Sequence, residues 1–307
     1  MTKVVFIGAS AAGHTAAVAL RGKNKNCAVT LITQERHSFY EKRRLADFLA
    51  GRISEGQLAG VSEEFYGQQG IVFLKEKEVT TVNPERKRIC FEGENPLAYD
   101  LLAVCSGVSF TLADIPGAKK RGVFRLQSLN DAKEFLSYLI NAPVCVVGSN
   151  PYALAIADSI ASKQKEVKLI APSGIDPTLK SKYVTEALSE QAAGTIEVVN
   201  SQITEIIGDG EVQAIRIKTG KIIGACAVIF ADCTQGNTAF LKNSNIKMRK
   251  GLLSVDEALR TSLDSVYACG SVCIGEQEET RVKTWDEVIR EGHALADSLH
   301  RAIGEQS

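Results

Sequence analysis

Lys3-Val-Val-Phe-Ile-Gly8-Ala-Ser-Ala-Ala-Gly13 opens the chain, and Val144-Cys-Val-Val-Gly148-Ser-Asn-Pro-Tyr-Ala153 echoes it near mid-chain. Each stretch has an apolar run short enough for a buried parallel strand, then a tight glycine turn, then a helix of small residues. Such a βα turn brings backbone N–H groups and a helix N-terminus up to a pyrophosphate. One glycine turn is a weak signal. Two in one chain point to an α/β protein with two Rossmann-like domains.

Working outward from the first turn, His14 to Arg21 reads as a helix and Ala28 to Ile32 as the second strand, which completes a βαβ unit. Phe39 to Gly51 reads as a polar-faced helix ended by glycine. Val72 to Val82 and Arg88 to Phe91 read as strands of a small antiparallel layer, joined by turn chemistry at Asn83-Pro84. Leu101 to Ser106 is a continuous apolar strand closed by Gly107. Asp114 to Gly122, with Pro116-Gly117, is the best linker. Beyond it come a helix over Asp131 to Ile140, the second turn, a helix over Tyr152 to Ser162 and a strand over Val167 to Ala171. Segments between Ile196 and Lys218 are strand-like and broken at Gly208-Asp-Gly210. Ala227 to Ala231 and Val266 to Cys269 are further apolar strands, and Thr284 to Ala302 has helical periodicity. Only the two turn units repeat.

The bulk composition excludes several function classes. With 36 basic and 36 acidic side chains among 307 residues, the formal charge is zero, and nothing favours nucleic acid as the partner. No apolar stretch approaches the length of a membrane span. The N-terminus runs straight into a strand without a leader pattern, so a cytoplasmic protein is expected. The eight cysteines form no Cys-x-x-Cys, and several lie in apolar runs as small hydrophobes. Neither a metal site nor a redox-active dithiol is expected.

Five segments resemble the FAD/NAD(P)-dependent pyridine nucleotide oxidoreductases, in particular their NADH:rubredoxin and NADH:ferredoxin reductase branch. They are the Gly8 turn, the segment from Val29-Thr-Leu-Ile-Thr-Gln-Glu35 through Tyr40 to Gly51, the strand Tyr99-Asp-Leu-Leu-Ala-Val-Cys-Ser-Gly107, the Gly148 turn, and Val266-Tyr-Ala-Cys-Gly-Ser271. Their order and spacing agree over nearly the whole chain. The resemblance implies a discontinuous FAD-binding domain over residues 1–112 and 226–307, with an NAD(P)-binding-like domain over 113–225 inserted in it. In the first turn, Gly8, Ser10, Ala11, Ala12 and Gly13 would hold the FAD pyrophosphate, with Ser10 where the family has glycine. Thr33 stands where the ribose-binding acid is usual. Glu35 reads equally as a ribose ligand or as an exposed loop carboxylate. Arg43, in Tyr40-Glu-Lys-Arg-Arg-Leu45, would lie near the flavin. Ser106, Gly107, Gly270 and Ser271 complete the cradle, with Ser271 replacing an aspartate that normally bonds the ribityl chain. Trp285 would stand by the flavin edge or serve as a core residue.

The second turn departs further. Gly148, Asn150, Tyr152 and Ala153 would face NADH or NADPH. Yet Asn150 puts a side chain where backbone should approach the pyrophosphate, and Pro151 removes an N–H donor. Tyr152 is placed to gate the flavin face. The next strand ends Leu169-Ile-Ala-Pro172, without an acid for a ribose or an arginine for a 2′-phosphate. The family's lysine–glutamate pair beside the flavin is replaced by Asp47 and Ala155. The second unit therefore reads equally as a working nicotinamide site and as a nucleotide-shaped packing or docking unit.

The implied activity is electron exchange between NAD(P)H and an external protein redox carrier: rubredoxin, ferredoxin or a partner metalloenzyme. The alternative is an FAD-containing relay subunit that does not use NAD(P)H. Hydride transfer to flavin needs no protein acid or base, so no catalytic side chain is assigned. The four histidines, His14 and His37 among them, favour packing or surface roles. Relatives usually carry a further C-terminal domain. Without one, the flavin edge is expected to be open to a carrier or to a second copy of the chain.

Overall fold

The run Lys3–Ile7 is the middle strand of a five-stranded parallel sheet, and its side chains alternate between two apolar cores. Val4 and Phe6 pack with the helices, while Val5 and Ile7 join the opposite cluster, so the strand is apolar from Val4 onward. The computed structural model describes residues 1–112, 114–138, 143–163, 165–175, 196–232, 234–278 and 283–305. Chain contacts divide it into two compact units. One comprises Met1–Glu41, Ala59–Ser109 and Gln235–Ser307, the other Lys42–Leu58 and Phe110–Thr234.

In the first unit the sheet order is Val266–Ala268, Leu101–Val104, Lys3–Ile7, Ala28–Ile32, Ile71–Leu74, all parallel. The helix Ala11–Lys23 follows the first strand, with Arg21 and Lys23 in its last turn where cations suit the helix dipole. Its small residues let the C-terminal helix Trp285–Glu305 approach closely. A Cβ on Gly292 would stand 2.9 Å from the Thr15 Cβ and 3.0 Å from the Ala12 carbonyl oxygen. The C-terminal helix begins with a capping box. The Thr284 hydroxyl accepts from the Glu287 amide at 3.3 Å, and the Glu287 carboxylate accepts from the Thr284 amide at 2.7 Å.

In the second unit the order is Ile196–Val199, Val167–Ile170, Val144–Val147, Ala227–Phe230, Val123–Phe124, again parallel. The strand Ala227–Phe230 thus belongs to this second sheet, although it falls after residue 225. A three-stranded antiparallel layer, Ile203–Ile207, Ala214–Ile217 and Ile222–Gly224, packs its apolar side on that sheet. The linker expected at Asp114 to Gly122 is pinned to this layer, where the Ile206 amide donates to the Pro116 carbonyl at 2.8 Å.

Two expected elements come out differently. Phe39 to Gly51 is not one helix. Tyr40 bridges to Ala59, a 3-10 turn spans Lys42–Arg44, and the helix Leu45–Ala50 ends on Gly51 at φ +76°. Val72 to Val82 is two strands: Ile71–Leu74 is the edge of the parallel sheet, and only Val79–Asn83 enters the antiparallel layer with Arg88–Phe91. The helix expected over Asp131 to Ile140 is Leu129–Tyr138, and residues 139 and 140 lie outside the described residues.

Candidate functional site

The first turn is built by close approach. Gly8 has φ +106°, and a Cβ there would stand 2.3 Å from the Cys105 carbonyl oxygen. A Cβ on Gly13 would stand 1.8 Å from the Gly8 carbonyl oxygen, so helix and strand meet only because both residues are glycine. Ser10 is the helix N-cap in extended conformation, and its side chain makes no capping hydrogen bond. No acidic residue lies in the first helical turn. The helix N-terminus thus points its amide dipoles at an anion without a protein carboxylate in their way, and the turn fits a dinucleotide pyrophosphate.

Around it, Ser106-Gly107 is clasped by Asn237. The Ser106 hydroxyl donates to the Asn237 carbonyl at 2.7 Å, the Asn237 side-chain amide donates to the Ser106 carbonyl at 2.9 Å, and the Asn237 backbone amide donates to Gly107 at 3.0 Å. Gly270, at φ +81°, lies against the first helix; its amide donates to the Glu291 carboxylate at 2.8 Å. The nearly buried Lys283 bonds the other Glu291 oxygen at 2.6 Å. Asn237, Lys283 and Glu291 were missed as site residues. The signal for Glu291 is its place on the helix face that carries Val288, Gly292 and Leu295.

At the end of the second strand, the Tyr40 hydroxyl donates to Glu35 at 2.6 Å, and the Glu35 amide donates to the Thr33 hydroxyl at 3.1 Å. Glu35 is therefore a positioned carboxylate rather than a loose loop residue. Trp285 stands 6.2 Å, ring to ring, from Phe39. Arg43 is exposed on the 3-10 turn that groups with the second unit, and neighbouring Arg44 donates to the Gln57 carbonyl at 2.9 Å.

His14 is a packing residue. It stacks on Phe39 at 4.0 Å and pairs its Nδ1 with the Tyr66 hydroxyl at 2.8 Å, and burial pushes its pKa down to about 4. Cys105 and Cys269, 164 positions apart, bring their sulfurs to 3.6 Å at the ends of neighbouring strands. The Cys105 thiol and burial hold Cys269 well above the ordinary thiol range, so it is a poor nucleophile. Among the described residues no cluster of His, Cys, Asp and Glu is arranged to hold a metal ion.

The second turn differs in one respect: its Ser149 and Ala153 amides are already engaged, and Pro151 has no amide to offer. Asn150 is the N-cap of the helix Pro151–Ala161, and its Oδ1 accepts from the Ala153 amide at 2.9 Å. Its Nδ2 donates to the Ala231 carbonyl at 2.6 Å, and the Ser149 amide donates to the Asp232 carboxylate at 3.3 Å. Tyr152 donates its hydroxyl to the Leu126 carbonyl at 2.5 Å and stacks on Phe110, which anchors it within this unit. As arranged, two of the turn's amides and the Asn150 side chain would have to leave their present partners before a pyrophosphate could take them.

Residues 2–292 match the sequence pattern of pyridine nucleotide-disulphide oxidoreductases. The chain belongs to that family. Among similar family members is an NADH oxidase of Methanocaldococcus jannaschii, 25% identical over 87% of this chain and 62% of that protein. Another is a rubredoxin-NAD(+) reductase of Pseudomonas putida, 24% identical over 96% of this chain and 79% of that one. A covalent putidaredoxin reductase–putidaredoxin complex has the same fold, with a TM-score of 0.87 at 18% identity, covering 98% of this chain and 75% of that one. The chain spans 62% and 52% of the length of two curated relatives, so it corresponds to part of each. No described helix is long and apolar enough to cross a membrane.

Proposed function

We propose that the chain is an FAD-dependent oxidoreductase that exchanges electrons between a nicotinamide nucleotide and an external protein redox carrier of the rubredoxin or ferredoxin type, or a partner metalloenzyme. The observation that carries this reading is the first turn, whose glycine-only approach and uncommitted Ser10 cap suit a bound dinucleotide. Family membership and the rubredoxin-NAD(+) reductase likeness supply the reaction class.

In this reading Gly8, Ser10, Ala11, Ala12 and Gly13 hold the pyrophosphate and Glu35, oriented by Tyr40, takes a ribose. Ser106 and Gly107, fixed by Asn237, and Gly270 and Ser271, braced by Glu291 and Lys283, hold the rest, with Trp285 at the aromatic edge and Arg43 an added cation. Bound flavin supplies the redox chemistry, converting paired to single electrons. The protein's part is to orient it and keep one edge accessible, without an acid–base side chain. The first unit is then the FAD-binding domain and the second its NAD(P)-binding-like partner, through Gly148, Asn150, Tyr152 and Ala153. A cytoplasmic location and pairing with a carrier or a second copy belong to the same proposal.

A relay subunit that takes electrons from another protein is the second reading, favoured by the engaged donors of the second turn. Anaerobic titration of the FAD-loaded chain with NADH and then NADPH separates the two. Bleaching of flavin absorbance supports the first reading. Absence of bleaching by either nucleotide, in a sample that dithionite reduces, refutes it in favour of the relay.

A further inference from the structure

The second turn keeps the shape of a phosphate cradle but not its vacancy. The Gly148 carbon is wedged against its surroundings: an added Cβ would stand 2.7 Å from the Ala153 Cβ and 3.0 Å from the Ala231 carbonyl oxygen. From Ser149 to Ala153, Ser149 and Ala153 have their amides bonded and Pro151 has none. An asparagine N-cap alone would be ordinary, because Asn is among the commonest caps. What is not ordinary is that the same side chain reaches back to Ala231. It thereby ties the helix N-terminus to the strand end that carries Asp232. The Asp232 carboxylate then accepts from Ser149, at the kind of position where a helix N-terminus receives a phosphate oxygen. One group is left over. The Ser149 hydroxyl is buried and has no hydrogen-bond partner among the described residues, as expected where an incoming oxygen would supply one.

We infer that Asp232 is an internal anion standing in for a phosphate at the second turn, on a backbone that Asn150 ties down through Ala231, so that these two side chains set the second turn's affinity for a dinucleotide. A pyrophosphate must displace a like charge and break the bonds that hold it, and the same site reopens when that charge is removed. This rests on the second unit being of dinucleotide-binding type and, within the proposed function, favours the relay reading over direct use of a nicotinamide nucleotide. The ligand class refused is the pyrophosphate-bridged nucleotide, whatever its redox state.

The test uses the full FAD-loaded chain and a probe without reducing power, ADP-ribose, with binding measured by titration calorimetry. Asp232→Asn keeps an acceptor for the Ser149 amide and removes only the charge. It is expected to tighten ADP-ribose binding by about ten- to a hundredfold, the range of one charge-assisted hydrogen bond gained or lost. Asn150→Gly added to it is expected to tighten binding further, with flavin content and melting temperature reporting that the fold persists. Micromolar binding to the unaltered chain, or an Asp232→Asn variant that binds no more tightly, overturns the inference. NADH titration of the same variant keeps the two ideas apart. ADP-ribose binding without bleaching by NADH upholds the plug and removes the nicotinamide from the proposed function. Ready bleaching of the unaltered chain, with no gain in the variant, does the reverse.

Discussion

At the scale of single residues, His14 shows how burial decides a role that spacing leaves open. It occupies the first turn of the helix that faces the expected pyrophosphate, yet its ring is stacked on Phe39 and bonded to Tyr66. Burial lowers its pKa to about 4, so the folded chain keeps it neutral where an unfolded histidine charges near pH 6.5. The sign follows from linkage. As pH falls from about 6.5 to 4, the unfolded chain takes up a proton that the folded chain refuses, and stability is lost in that window. The loss attributable to this residue is about 3 kcal/mol at its full extent. Urea unfolding at pH 7.5 and pH 4.5 checks it against His14→Phe, which keeps the stacking but cannot titrate. The unaltered protein should lose about 2 kcal/mol more than the variant between the two pH values. Equal losses would remove burial of His14 from the account.

At the scale of elements, the segment and helix expected to lack the family's lysine–glutamate pair carry an ion pair of their own. Asp47 and Ala155 stand where that pair is expected, but Arg52 reaches Asp158 at 2.8 Å, joining the same segment to the same helix about one turn further along. Asp158 is almost fully buried, while Arg52 is 43% exposed and also approaches Asp47 at 3.4 Å. Sequence matching inspects only the family's own positions, so an ion pair at other positions is invisible to it. Removing the arginine takes an ion-pair partner from a buried carboxylate. Arg52→Met should therefore cost about 2 kcal/mol, less than for a wholly buried pair because water reaches the arginine side. Adding Asp158→Leu should recover most of that loss, since an apolar pair of similar volume needs no partner. A double-mutant cycle in chemical denaturant measures both, and an additive outcome would mean the two side chains are not coupled.

At the scale of the molecule, the parallel sheets were legible because a strand buried on both faces must be an unbroken apolar run. Runs such as Val144–Val147 and Leu101–Val104 are short, fully buried and stopped by a turn. The stretch from Phe39 to Gly51 was misread because its apolar residues fit a helix while Tyr40 is taken by a bridge to Ala59. In the first site the turn glycines were legible, since close backbone approach leaves no alternative to glycine; Asn237 and Glu291 were not, because their partners Ser106 and Gly270 lie 131 and 21 positions away, and Lys283 was not, because its role depends on Glu291. The departures at Asn150 and Pro151 were legible as losses, but that Asp232 fills the vacated role depends on a contact across 83 positions. The two units therefore descend from one plan and answer ligands unequally. Only the first turn has an uncommitted cap, so only a ligand of that turn should bind the native state much more strongly than the unfolded chain. With FAD at about a hundred times its dissociation constant, the flavin-free chain should gain about 2.7 kcal/mol, a rise of a few degrees in melting temperature. ADP-ribose added at the same concentration to the FAD-loaded chain, whose first turn is filled, should leave its melting temperature unchanged, and Ser10→Asp should abolish the response to FAD without lowering the flavin-free melting temperature, because aspartate is a good N-cap but a poor neighbour for phosphate. A differential scanning fluorimetry series on the two chains decides it: a shift with ADP-ribose as large as that with FAD would show that the second turn is as open as the first, and the asymmetry would have to be given up.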